Sequence, residues 1–213
     1  MTIRTAVSTE AEYTVRDQER MRRANRYFEW QFRLAEEQLG KRVLEIGCGL
    51  GNFTRYLIGR EIVVGIDIVP ECIEGHRAAL PDQPNLVRKC LDVLDPQFLQ
   101  LRQYSPDSIA CLNVLEHISD DLLALQHMNA VLPRGGRAVF IVPAFRALYG
   151  PIDEKLGHFR RYTRSSMRRL AHAAGFKPVL LRYLNSAGFV GWWVNAHILK
   201  KDRTIRGANR ALR

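Results

Sequence analysis

The sequence predicts an α/β protein: a Rossmann-like, doubly wound, mostly parallel sheet of six strands, at most seven, behind an N-terminal helical cap. Three observations predict it. Short runs of near-continuous apolar residues recur along the chain, as strands buried on both faces require. Stretches of helical periodicity separate them. Gly, Pro or Asp closes most of the runs, where a strand must hand over to a turn. Strands alternating with helices in this way imply parallel pairing with helices on both faces.

Each element follows in order. Residues 17–38 have a helical pattern with Tyr27, Trp30, Leu34 and, less regularly, Phe28 on one side, stopped by Gly40. RVLEIG (42–47) is the first strand, and NFTRYLI (52–58) opens a helix. IVVGID (62–67) is the second strand, followed by a helix over 70–80. NLVRKC (85–90) is the third, followed by a short helix near 96–102. SIACLN (108–113) is the fourth, and 120–132 a strong helix. GRAVFIV (136–142) is the fifth, ended by Pro143. A helix over 163–174 leads to KPVLLRYL (177–184), the expected sixth strand. With 213 residues, the chain is expected to form a single domain: a helical cap over 1–40, a core over 41–184, and an apolar helix with a basic tail over 185–213.

Composition narrows the class. The 46% hydrophobic and 25% charged residues are ordinary for a globular protein. No apolar run reaches the ~18 residues of a membrane span, and the polar N-terminus has no signal-peptide core, so a soluble cytoplasmic protein is expected. Cys48, Cys72, Cys90 and Cys111 are scattered without a C-x-x-C, which fits a reducing compartment. The six histidines show neither H-x-x-x-H nor H-E-x-x-H spacing, so no metal is expected. The net charge of +10 is concentrated at one end. Residues 1–154 carry 18 basic and 21 acidic side chains; residues 155–213 carry 14 basic and one acidic, Asp202. Such a field favours an anionic partner, unless it is simply a solvated basic face.

In a doubly wound sheet the ligand sits outside the carboxyl ends of the strands. There the first strand runs into Glu45-Ile46-Gly47-Cys48-Gly49-Leu50-Gly51. Glycines permit positive φ and close backbone approach, and the following helix would offer N–H groups to an anion. A dinucleotide fingerprint would place its third glycine at position 52, which is Asn. Asp67, 20 residues after Gly47, has the spacing of a ribose-binding acid. A carboxylate there can accept from both ribose hydroxyls.

These segments resemble class I S-adenosylmethionine-dependent methyltransferases. VLEIGCGLGNFT resembles their motif I, and GIDI their ribose acid. Leu91-Asp92-Val93 resembles the adenine contact, DSIACLNVLEHI the fourth-strand motif and LPRGGRAVFIVP the fifth-strand entry. GHFRRYTRSSMRRLAHAAGF is similar to a subgroup of small bacterial methyltransferases. The resemblance implies S-adenosylmethionine as cofactor, with Glu45, Gly47, Cys48, Gly49, Gly51, Asp67, Ile68, Asp92, Val93 and Asn113 around it. Glu45 would face the cofactor's ammonium through water, or else cap a neighbouring helix; Asp92 would accept from the adenine amine, or else serve a turn. A pyrophosphate beside Glu45 would meet like charge, which with Asn52 argues against the rival reading, an NAD(P)-dependent oxidoreductase. A non-enzymatic nucleic-acid-binding module using the basic tail is disfavoured, because no aromatic-rich RNP segment is present.

The acceptor side is expected from loops. Asn113-Val114-Leu115-Glu116 lacks the prolines typical of enzymes that methylate base amines. The stretch 143–163 overhangs the site and has the length of a lid or binding loop. His158 is the first candidate base, since imidazole titrates near neutrality; His117 is the second, with a packing role as its alternative. Tyr149, Arg160, Arg161 and Tyr162 are the candidate substrate contacts, the arginines as a fork for a carboxylate or phosphate. Pairing of one arginine with Asp153 or Glu154 is the structural alternative. The reading is methyl transfer to a small, anionic or carrier-linked metabolite, with oxygen slightly favoured. The N-terminal aromatics would close over the cofactor or join the core. Residues 185–203 would pack as a substrate wall, a homodimer contact or a peripheral membrane contact.

Overall fold

The computed structural model describes residues 15–184, residue 17 excepted. Five parallel strands form one sheet: β1 (Arg42–Ile46), β2 (Ile62–Asp67), β3 (Leu86–Cys90), β4 (Ser108–Leu112) and β5 (Arg137–Ile141), in the order β3-β2-β1-β4-β5. Register is continuous: Leu44 pairs with Val64 on one side and Ile109 on the other. Helices α1 (Asn25–Ala35), α2 (Pro70–Ala79), α3 (Asp121–Val131), α4 (Pro151–Lys155) and α5 (Arg164–Ala173) flank or overhang it.

The period of two along the strands divides the core between the two faces. Leu44, Ile46, Val64, Ile66, Ile109 and Cys111 pack with Leu125 and Met128 of α3 and Met167 of α5. Val43, Val63 and Ala110 pack with Ala35 of α1 and with Leu39, Phe53 and Leu57. The chain order reverses between β1 and β4, so β1 lies between β2 and β4 with its carboxyl end at the switch point, the place where doubly wound sheets bind ligands.

Three expectations change. The sheet has five strands among the described residues, not six or seven: residues 177–184 form no strand. That segment is held by side chains instead. Leu181 packs on the core, Tyr183 stacks on Phe145, and Val179 stays 93% exposed. An apolar run satisfied by a few such contacts has no need of a ladder. The expected helix over 52–58 shrinks to a 3-10 turn, Thr54–Tyr56, because Gly51 and Gly59 leave it too few residues to repay helix nucleation. The N-terminal helix is interrupted at residues 22–24 before α1 begins. No described helix is long and apolar enough to cross a membrane. The expected wall, dimer or membrane contact over 185–203 lies outside the described residues.

Candidate active site

The loop after β1 turns on glycines. Gly47, Gly49 and Gly51 have φ of +71°, +50° and +79°, a region that costs other residues ~1–2 kcal/mol. Gly47 also lies under Val114, whose Cγ2 would be 2.3 Å from an added Cβ. Gly47→Ala therefore combines left-handed strain with overpacking of ~1–3 kcal/mol. A lowered melting temperature together with lost cofactor binding is expected, measured by thermal unfolding and titration.

Four of the loop's N–H groups already have protein partners. Gly47 and Cys48 both donate to the Ile66 carbonyl at 2.9 Å, Gly51 donates to Cys48, and Gly49 donates to Asp67 Oδ2 at 2.9 Å. With no long helix following, this is a poor cradle for an anion. Beside these bonded amides the site offers the acceptor oxygens of Asp67. Asp67 ends β2, its Oδ1 accepting from Val69 N at 3.0 Å. A carboxylate has about four acceptor sites, so its outer lone pairs still suit a diol. Burial raises its pKa, against hydrogen bonds from Val69, Gly49 and Ile68. Asp92 makes the turn after β3, with Oδ1 accepting from Leu94 N at 2.8 Å; its Oδ2 lies outside that turn. Ile68 is 63% exposed beside Asp67, Val93 is buried in the core, and Cys48 is buried below the loop. Asn113 has φ +56° at the end of β4.

Glu45 is buried and belongs to a directional chain. Arg88 Nε donates to His76 Nδ1 at 2.7 Å, so His76 carries its proton on Nε2. That nitrogen lies 2.9 Å from Thr54 Oγ1, whose hydroxyl donates to Glu45 Oε2 at 2.6 Å. Burial and the Arg88 charge lower the His76 pKa to about 4, keeping the imidazole neutral. Burial raises Glu45 to about 8, against the Thr54 bond. Between about pH 4.5 and 8 the folded state keeps a proton that the unfolded chain releases, so Glu45 makes stability fall as pH rises through that window. Glu45→Gln should flatten this slope and raise stability at pH 8, as denaturant titrations across pH would show. Glu45 accepts from the Thr54 side chain and does not cap the helical turn at Thr54–Tyr56, which has no side-chain cap bond.

The position where a dinucleotide fold needs glycine has its own task. Buried Asn52 donates from Nδ2 to the Gln18 carbonyl at 3.0 Å and lies 3.2 Å from Gln18 Oε1. Gln18 in turn covers Gly49. In α1, Gln31 Nε2 donates to the Tyr27 hydroxyl at 2.9 Å, and Tyr27 also bonds Asn113. The N-terminal segment thus spans from the glycine loop to the end of β4. Nothing in the sequence flagged Gln18, because its partner lies 34 residues on.

The segment expected on the acceptor side is organised by Asp153, a fully buried side chain at α4. Its Oδ1 accepts from His158 Nδ1 and Arg161 Nε, both at 2.8 Å, and its Oδ2 from Gly150 N at 3.0 Å. Burial alone would raise its pKa, but the bonds from His158 and Arg161 hold it below the carboxylate range. Tyr149 donates to the His158 carbonyl at 2.7 Å. His117 meets His158 edge to face, with centroids 4.6 Å apart. Burial and neighbouring His158 lower the His117 pKa to about 4. The arginine fork is corrected: Arg160 pairs with Asp121 at 2.7 Å and donates to Ser119 O, while Arg161 bonds Asp153 and Ala144 O. Tyr162 is buried and donates to Asp121 at 2.9 Å. Arg160 and Tyr162 tie the 143–163 segment to the turn after β4 and the start of α3, while Arg161 braces the segment internally through Asp153, as the alternative reading held for one arginine.

The profile of the methyltransferase domain matches residues 17–181. The chain belongs to that family. Among curated relatives, a ubiquinone biosynthesis O-methyltransferase of Coxiella burnetii is 30% identical over 117 residues, covering 54% of this chain and 47% of the relative. The chain thus spans about half the length of the curated relatives it matches. Among solved structures, an S-adenosylmethionine-dependent methyltransferase from Mesorhizobium loti matches with TM-score 0.56 at 21% identity, over 73% of this chain and 83% of that one. The N-methyltransferase NodS from Bradyrhizobium japonicum, in complex with S-adenosyl-L-homocysteine, matches with TM-score 0.53 at 20% identity, over 70% and 72%. These likenesses place the chain in a Rossmann-like fold.

Proposed function

We propose that this methyltransferase transfers the methyl group of S-adenosylmethionine to an oxygen of a small, anionic or carrier-linked metabolite. The observation that carries the cofactor assignment is the polarity of the crevice. Asp67 accepts from the glycine loop, Asp92 closes the turn after β3, and the Glu45 side chain lies buried behind the loop, while the N–H groups of Gly47, Cys48, Gly49 and Gly51 are bonded within the protein. Acceptors suit a diol, an exocyclic amine and an ammonium; a pyrophosphate would need donors. This weighs against a nicotinamide cofactor on firmer ground than the sequence spacing alone.

S-adenosylmethionine supplies a methyl carbon already activated by its sulfonium leaving group. The chain's own task is then to align and desolvate the reactants, worth up to ~7–11 kcal/mol. Asp67 clamps the ribose, Glu45 faces the ammonium, and Gln18 with Tyr27 closes the mouth. His158, held by Asp153 through Nδ1, presents Nε2 to the acceptor's proton. The oxygen preference draws support from the ubiquinone biosynthesis O-methyltransferase relatives. An anionic acceptor draws support from exposed Arg168 and Arg169 on α5 and from Arg164, which sits over the Tyr183 ring at 5.1 Å.

The test offers a panel of phenols, carboxylates and amines with radiolabelled methyl donor. Label transferred to a hydroxyl supports the proposal; label on amines alone overturns the oxygen assignment. Binding itself carries a signature: an ammonium beside Glu45 favours its carboxylate form, so cofactor binding near pH 7 should release a proton. Calorimetry in two buffers of different ionisation enthalpy measures it, and Glu45→Gln should abolish it.

A further inference from the structure

We propose that Glu116, His117 and His158 form a binding site for a borderline divalent transition-metal ion, of the Zn2+ or Fe2+ class. One ligand atom from each, a carboxylate oxygen and two ring nitrogens, lies within 4.8 Å of the others. Two residues come from the turn after β4 and one from the loop after α4, so the site exists only in the folded chain.

A second observation points to a ligand. Glu116 is 1% exposed, and its Oε2 is buried without a hydrogen-bond partner. Leaving such a group unsatisfied is costly, and a cation removes that cost. The outer contacts have the arrangement that metal-binding imidazoles need. His158 gives its Nδ1 hydrogen to buried Asp153, which leaves the Nε2 lone pair inward. His117 bonds the Leu156 backbone, which orients its ring as well. The perpendicular rings, 86° apart, can bind one ion from two directions. Two imidazoles and one carboxylate select Zn2+ or Fe2+ over Mg2+ or Ca2+ and leave coordination positions open. The sequence concealed the set because 41 residues separate His117 from His158 and no local spacing marks them.

The consequence for catalysis rests on the function proposed above. An acceptor hydroxyl takes an open position, its O–H breaks and the proton leaves to water. The oxygen then forms the C–O bond as the S–CH3 bond breaks, with that electron pair retained by sulfur. In the metal-loaded protein His158 is a ligand, and the metal replaces it as the means of activating the acceptor.

The experiment uses the untagged chain, stripped with a chelator. Zn2+ titration by calorimetry should show one ion per chain, with no competition from excess Mg2+. Glu116→Gln and His117→Ala should each weaken binding at least 10-fold, and Asp153→Asn 10–100-fold. His172→Ala, on the exposed face of α5, should leave it unchanged. Co2+ substitution of the wild type needs no variant: it should give low-symmetry visible bands and two hyperfine-shifted imidazole N–H signals. Absence of Zn2+ heat, a purely aqueous Co2+ spectrum, or equal affinity in wild type and His117→Ala would overturn the proposal. S-adenosylmethionine binding to the same metal-free samples separates the two readings. If the cofactor binds but Zn2+ does not, only the metal site falls; if Zn2+ binds but the cofactor does not, only the methyl-transfer role falls.

Discussion

Replacing Asp67 with alanine is expected to weaken S-adenosylmethionine binding by about 10²- to 10⁴-fold. Two hydrogen bonds from ribose to a carboxylate, at ~1.5–3 kcal/mol each, set that range. The same carboxylate also accepts from Gly49 N and Val69 N, so its loss loosens the glycine loop as well as the diol clamp. Asp67→Asn separates the two contributions. The amide can keep one backbone bond but cannot accept through both groups, so it should fall between wild type and alanine. Binding unchanged in both variants would remove Asp67 from the site.

The second large effect concerns Asp153. Asp153→Ala leaves the Arg161 guanidinium buried opposite a lost partner, and breaking a buried pair in this way costs ~3–5 kcal/mol. For a chain of this length that corresponds to a fall of about 6–20 °C in melting temperature. The pH dependence has a definite sign. The folded pKa of Asp153 is depressed. Its contribution is therefore fully present above the unfolded value of about 3.9 and is lost as pH falls through the lower folded value. Wild type and Asp153→Ala should converge in strong acid and diverge toward neutrality. Activity should fall further than stability explains, because His158 loses the bond that orients its ring.

Much of the fold was legible in the chain. β1, β2 and β4 announce themselves as apolar runs because they lie inside the sheet and nearly every position meets the core, while the edge strands β3 and β5 are only partly buried. The place of Asp67 at the end of β2, beside the glycine loop, was legible because an acid closes that apolar run. Other features depend on distant partners. The 177–184 run reads as a strand by composition, yet contacts such as Phe145 on Tyr183 replace the ladder. Asn52 reads as a missing glycine, and only the fold shows it fastening Gln18. Arg160 and Arg161 read as a substrate fork, since charge counts cannot reveal that Asp121 and Asp153 reach them from other elements. His158 was legible as a candidate; its neighbours Glu116 and His117 became a cluster only through the topology.

The account depends most on what the crevice at the ends of β1 and β2 binds. Calorimetric titration of the wild-type chain with S-adenosylmethionine, S-adenosylhomocysteine and NADH addresses it directly. Saturable binding of both adenosyl ligands at one per chain, lost in Asp67→Ala and absent for NADH, is the predicted result. Saturable binding of NADH, or no binding of either adenosyl ligand to folded protein, would contradict it.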